Sequence, residues 1–193
     1  MHVHNYREMS KKVKHNLEEY DRVTDIIGMF FELNQIPKDI LERKKEIGTD
    51  VHFAIEAYFT GLFHVAMADS KPYIRSFDKW VKKEDPELVM TEFRLFDDDL
   101  KVTGCVDALI REGQDIFIID FKTSVNENKE TWPLQAEFYY QLVKKTNEYQ
   151  LSDTVKFIKL DKWGEEPKIF TYQHSEELWQ ICLSYLKVYR YRK

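Results

Sequence analysis

Apolar residues change their period along this chain, and the changes mark its elements. Behind Thr24, a good N-cap residue, Ile26, Ile27, Phe30 and Phe31 recur at helical spacing and predict a helix over Asp25–Leu33. Pro37 suits the first turn of a second helix, where its missing N–H is harmless. Gly48-Thr49-Asp50 reads as an interruption. Thr49 or Asp50 would then cap a further helix through Phe59, striped by Val51, Ile55, Tyr58 and Phe59. Pro72–Lys83 repeats the pattern with Tyr73, Phe77, Trp80 and Val81. Leu17–Tyr20 reads as a short strand.

The period then drops to two. Leu88–Phe96 and Lys101–Ile110 read as antiparallel strands around the turn Asp97-Asp98-Asp99, and Asp115–Thr123 as a third strand after Arg111-Glu112-Gly113. Its run Ile116-Phe117-Ile118-Ile119 lacks polar alternation, as in a central strand covered on both faces. Trp132–Tyr149 is helical again. Val155–Leu160 and Lys168–Tyr172 pair around Trp163-Gly164, and Ser175–Tyr191 is a helix with an acidic first turn that suits its dipole. The order ααααβββαββα predicts an α/β (α+β) fold, a mixed central sheet with helices against it. Nothing in composition divides the chain. A single domain over residues 1–193 is expected, with 1–85 mostly helical and 86–193 holding the sheet.

Composition narrows the chemistry. The 193 residues are 43% hydrophobic, enough for one real core. Two cysteines exclude a Cys₄ zinc site, a cysteine-only iron–sulfur cluster and a disulfide scaffold, and Cys105 and Cys182 read as reduced core residues. Six glycines match neither a dinucleotide-binding nor a phosphate-loop pattern. Met1–Tyr20 has no apolar signal core, and no run approaches the ~20 apolar residues that span a bilayer. An intracellular protein without a membrane association is therefore expected. The net charge of −5 argues against a broad nucleic-acid-binding surface.

The sharpest chemical feature is Asp120-Phe121-Lys122 at the end of the central strand. Alternate residues share a face there, so Asp120 and Lys122 point one way and Phe121 the other. A carboxylate and an amine at a buried strand end are costly without partners or a task. Asp107 lies thirteen residues earlier on the neighbouring strand, so the two carboxylates can converge. Two converging carboxylates with open positions suit a hard cation such as Mg²⁺ or Mn²⁺.

His52 within Gly48-Thr49-Asp50-Val51-His52, then Gly104-x-x-Asp107, Asp120-x-Lys122-Thr123 and Gln135-x-x-x-Tyr139, resemble in order the motifs of RecB-type PD-(D/E)XK nucleases. With Val23-Thr24 at a helix start, the likeness extends to phage and mitochondrial genome-maintenance exonucleases of that branch. It runs from about Thr24 to Tyr140. The resemblance implies a restriction-endonuclease-like core and a Mg²⁺- or Mn²⁺-dependent deoxyribonuclease working on single strands or duplex ends, in repair or recombination. His52, Asp107, Asp120 and the Phe121 backbone carbonyl would hold the cation. Lys122 would orient or deprotonate the attacking water and offset phosphoryl charge. Gln135 and Tyr139 would hold substrate, and Glu92 and Glu56 are further ligand or supporting groups. The helical N-terminal third would wall the sheet end. Two cysteines exclude the iron–sulfur cluster that some members carry, and any helicase or recombination partner would be a separate protein.

Other readings stay open on the same residues. A silent nucleic-acid-binding or assembly module could keep the fold, and a nuclease acting on RNA could keep the chemistry. Asp120 with Lys122 could be a structural ion pair, and His52 a packed histidine. Asp97–Asp99 reads as a solvated turn rather than a metal site. Trp132, Tyr139 and Tyr140 suit either base stacking or the core. His2 and His4 read as terminal and disordered. Lys187, Arg190, Arg192 and Lys193 suit either phosphate contact or the negative end of their helix.

Overall fold

The protein is described from a computed structural model covering residues 15–30, 37–146 and 148–193. After a 3₁₀ turn at Leu17–Glu19 come β1 (Asp21–Arg22), α1 (Val23–Gly28), α2 (Lys38–Thr60), α3 (Lys71–Glu84), β2 (Glu87–Asp97), β3 (Val102–Glu112) and β4 (Asp115–Lys122). The chain continues through α4 (Thr131–Thr146), β5 (Leu151–Lys159), β6 (Lys168–Gln173) and α5 (Glu176–Arg192). His2, His4 and the Phe31–Leu33 end of the first expected helix lie outside the described residues.

The six strands form one mixed sheet in the order β1-β3-β4-β5-β6, with β2 on the other edge of β3. Antiparallel β2, β3 and β4 are followed by a parallel β4–β5 pair, which α4 makes possible as the crossover. One face is covered by α1, α4 and α5 through Ile26, Phe138, Leu142, Cys182 and Leu186. On the other, Val51 and Ile55 of α2 and Phe77 and Trp80 of α3 pack on Ala108, Ile119, Phe121 and Ile158. Because β4 is covered on both sides, its apolar run does not alternate. This is the restriction-endonuclease-like arrangement expected. No helix among the described residues is long and apolar enough to cross a membrane.

Several local expectations are corrected. α2 runs unbroken through Gly48-Thr49-Asp50. A mid-helix glycine costs about 1 kcal/mol, which the burial of Val51 and Ile55 in the same helix outweighs. Asp50 caps nothing: its carboxylate accepts from His64 Nε2 at 2.8 Å and from Met67 N–H at 2.9 Å, tying the α2–α3 loop to the helix. α1 starts at Val23 rather than after Thr24, without a side-chain cap. Leu17–Glu19 is a turn capped by Asn16, not a strand. Asn128 Oδ1 accepts the N–H groups of Glu130 and Thr131 at the start of α4, which ends at Thr146 rather than Tyr149.

Asp97 forms a turn: its Oδ1 accepts the N–H groups of Asp99 and Leu100 and binds Lys145. Trp132, Tyr139 and Tyr140 are all buried. Trp132 packs edge-on to Phe170, and Tyr140 stacks on His174 and donates to Asp153. Their open alternative resolves to the core. Arg190 and Lys193, without acidic neighbours in sequence, meet Asp21 at 2.8 and 2.9 Å. Cys182 is fully buried as expected, but Cys105 is only half-buried.

Candidate active site

The site begins where the sheet comes apart. β4 pairs with β3 only from Ala108 to Glu112, and β1 takes the same edge of β3 at Val102 and Thr103. Between them β3 has no strand partner on that side among the described residues, and Asp107 sits in the gap. Its Oδ2 accepts the N–H of Phe121 at 2.7 Å, continuing by side chain the ladder that the backbones have abandoned.

The partner strand is distorted at the same level. Thr91 pairs with Ala108 and Phe93 with Val106, leaving Glu92 opposite Asp107 with φ +44°. Met90 and Phe93, three apart, belong to one core cluster, as do Val106 and Leu109. Alternation therefore breaks across the Glu92–Asp107 level on both strands. Left-handed backbone at a non-glycine residue costs about 1–2 kcal/mol and is retained where a side chain must be aimed. Thr91 Oγ1 braces the distortion by donating to the Asp107 carbonyl at 2.9 Å.

α2 lays His52 across this gap. Its Nδ1 lies 3.3 Å from Asp107 Oδ1 and 3.3 Å from Glu92 Oε1. One donor atom from each of His52, Glu92 and Asp107 falls within 4.8 Å of the others. The Asp107 charge, opposed by burial and aided by hydrogen bonds that both carboxylates accept, raises the His52 imidazole well above its usual value. The shift favours the imidazolium, so a proton competes with any cation for this ligand set.

Asp120 is buried and turned toward α4. Among the described residues its Oδ2 accepts no aligned hydrogen bond, its near neighbour being Lys122 Nζ at 2.7 Å. Burial pushes the Asp120 carboxyl up to about 6, the Asp107 charge adding to this against Lys122 and His52. Gln135 on α4 links the group: Lys122 Nζ donates to its Oε1 at 2.8 Å, while its amide nitrogen donates to Asp120 Oδ1 at 3.2 Å and to Tyr139 Oη at 2.9 Å. Lys122 also lies 4.8 Å from the centre of the Phe157 ring. Burial, then the charges of Asp120 and Asp107, raise the Tyr139 phenol well above its usual value, so it stays neutral. Phe121 turns its ring to the opposite face, against Phe77 and Trp80.

Of the residues singled out in sequence, His52, Asp107, Asp120, Lys122, Gln135 and Tyr139 converge, and Glu92 joins His52 and Asp107. Glu56 lies half-buried one turn along α2 and takes part in none of these contacts among the described residues. Cys105 was not singled out for the site; its thiol points to Glu92 Oε2 at 3.7 Å, and burial, with the Glu92 charge, pushes it up to about 12. It stays a thiol and supports Glu92. Gly104 explains the spacing of its motif: a Cβ there would lie 2.9 Å from both Tyr139 Cε1 and Leu142 Cδ1. Gly104→Ala is therefore expected to lower stability by about 1–3 kcal/mol and to cut activity with it, measured by thermal melting beside a rate assay.

These residues fit a divalent cation. A nitrogen and two carboxylates converge, and a third carboxylate nearby leaves a buried oxygen without an aligned donor. A mixed sheet that splays at clustered carboxylates beside a lysine is an arrangement suited to holding a cation and an ammonium against one substrate. Residues 58–183 match the model of the PD-(D/E)XK nuclease superfamily, and the chain belongs to that family, whose members use divalent metals. The matched stretch includes Glu92, Asp107, Asp120, Lys122, Gln135 and Tyr139, while His52 precedes it. Among solved structures, a protein of Eubacterium rectale assigned as an exonuclease is 12% identical, with a TM-score of 0.53 covering 100% of this chain and 84% of that one. An alkaline exonuclease of Laribacter hongkongensis is 10% identical, with a TM-score of 0.47 over 90% and 87%. At 12% identity the likeness to the Eubacterium rectale protein is one of fold alone. A search of curated protein sequences gave no match.

Proposed function

We propose that this nuclease is a divalent-metal-dependent deoxyribonuclease that hydrolyses phosphodiester bonds at DNA ends or in single strands. The observation that carries the reading is the convergence of His52, Glu92 and Asp107 beside the Asp120–Lys122 pair, at the gap between β3 and β4. His52, Glu92, Asp107 and Asp120 would hold the cation. The Phe121 carbonyl, at the residue whose N–H Asp107 fixes, remains a candidate fifth ligand. When bound, the ion supplies Lewis-acid stabilisation of charge on the scissile phosphate and favours ionised water at neutral pH.

The chain's own groups supply position and compensating charge. Lys122, held between Asp120 and Gln135, orients a water and neutralises charge developing on the phosphoryl oxygens. Gln135 positions Lys122 and Asp120 together, and buried Tyr139 acts behind it as a support. His52 reaches the site from α2 and Gln135 from α4, so helices flank it on two sides, which suits a strand end better than an intact duplex. Part of the net charge of −5 belongs to this centre. A separate helicase or recombination protein would supply any unwinding.

Wild-type protein is expected to degrade labelled single-stranded and end-bearing DNA with Mg²⁺ or Mn²⁺ and to be silent in EDTA. Closed circular DNA should survive. Equal cleavage of RNA would move the substrate class, and silence on every polynucleotide would leave a binding module. Because the raised His52 imidazole lets a proton compete for the ligand set, cation affinity should rise with pH. Calorimetry in buffers of differing ionisation heat should show roughly one proton released per ion near neutrality, and no release would contradict the role of His52.

A further inference from the structure

We propose that Trp163 and Lys162, on the turn between β5 and β6, form a contact site for the polynucleotide strand, stacking a base and holding a phosphate a few nucleotides from the scissile bond. This rests on the nuclease reading above. Trp163 is 72% exposed, whereas Trp80 and Trp132 are buried and Trp179 half-buried. The exposed indole stands on a firmly built turn. Asp161 Oδ1 accepts the N–H groups of Trp163 at 2.8 Å and Glu165 at 3.2 Å, and the Asp161 N–H donates to Ser76 Oγ of α3 at 2.9 Å. Gly164, buried at φ +81°, fits so closely that a Cβ would lie 2.8 Å from Arg75 Nε. The turn that carries the exposed indole is thus docked on α3.

The turn continues from the active site. The Leu160 N–H donates to the Lys122 carbonyl at 2.8 Å, and Lys159 is the register partner of Lys122 across β4 and β5. Trp163 follows Leu160 by three residues, at most about 10 Å of chain. Lys122 and Lys159 thus lie side by side at the ends of the two strands, and Lys162, three residues after Lys159, holds its Nζ 5.0 Å from the Trp163 ring centre. Lys159 already donates to the Val125 carbonyl at 2.9 Å and steadies the loop after β4.

The acidic groups nearby are Asp161, Glu165 and Glu166. Asp161 is engaged by backbone N–H groups and Glu165 by Lys79 at 2.8 Å, which leaves Glu166 facing solvent. The sequence neighbours of the indole, Lys162, Gly164, Glu165 and Glu166, carry no apolar side chain, and an aromatic platform beside a cation suits an unpaired base.

The test is fluorescence titration with an oligothymidylate in EDTA, on wild type, W163F, W163A and K162Q, paired with steady-state cleavage in Mn²⁺. Quenching that is present in wild type and missing from W163F is expected. W163A should weaken binding by about 5- to 150-fold and raise KM with kcat unchanged, while W163F retains most affinity. K162Q should flatten the salt dependence by about 0.7 in log–log slope. Should W163A melt early, the W163F difference signal and K162Q carry the test. Indole emission unmoved by saturating oligonucleotide, or W163A binding as tightly as wild type, would overturn the proposal. Wild type that neither binds nor cuts would overturn the substrate reading, and this proposal with it.

Discussion

Lys122→Met is expected to slow phosphodiester hydrolysis by about 10²–10³-fold, the usual effect of removing one group aimed at developing charge. The methionine keeps the length of the stem against Phe157 but removes the ammonium that spans Asp120 Oδ2 and Gln135 Oε1. Cation binding should survive, because His52, Glu92 and Asp107 are untouched. Rate assays beside Mn²⁺ titration separate the two effects. Activity within a few-fold of wild type would show that Lys122 is only the counter-ion of Asp120. Stability should also fall at pH 8, since Asp120 would remain buried without its nearest cation.

Asp120→Asn is expected to lower activity on the order of 10³-fold while making the metal-free protein more stable at pH 8. The sign follows from the direction of the shift. Asp120 is raised from 3.8 to about 6 by burial, so its ionisation opposes folding. Its contribution is fully present below about pH 4 and is lost as pH rises through about 6. A gap of roughly two pH units corresponds to about 1–3 kcal/mol at pH 8, or several degrees in Tm. The raised His52 has the same sign, its contribution present below about pH 6.5 and lost as pH rises through its folded value.

The opposite slope comes from lowered carboxylates, Asp21 and Asp161 with Asp50 and Asp98. Despite partial burial, Asp21 is held low by Lys193 and Arg190, and Asp161 by the N–H groups of Trp163 and Glu165. Their stability is lost as pH falls below the usual carboxylate range. Metal-free protein should therefore be most stable in mild acid, and Mn²⁺ should move the optimum upward. Thermal melts across pH, with and without the ion, give the comparison. An unchanged profile would contradict the electrostatic description of the site.

Much of the site was legible because its residues sit at fixed places on regular elements. Asp120 and Lys122 share a strand face, Gln135 and Tyr139 are one helical turn apart, and Gly104 precedes Asp107 by the three residues that seat Tyr139. What stayed hidden needed two strands at once. The left-handed Glu92 arises at an irregularity shared by β2 and β3, and no local pattern distinguishes it from other strand glutamates. The role of Asp107 as a stand-in for the missing ladder depends on where β4 departs. Tertiary contacts also overrode local signals: the loop after α2 claimed Asp50, which left Gly48 inside an unbroken helix. Among the aromatics, sequence offered no way to separate the buried Trp132 from the exposed Trp163.

The most direct test of the metal-nuclease reading is a crystal of the protein soaked in Mn²⁺ and measured for anomalous scattering. The expected result is density among His52, Glu92, Asp107 and Asp120, with His52 still turned into the β3–β4 gap. Crystals that take up no Mn²⁺ there, or that hold it only at the Asp97–Asp99 turn, would contradict it.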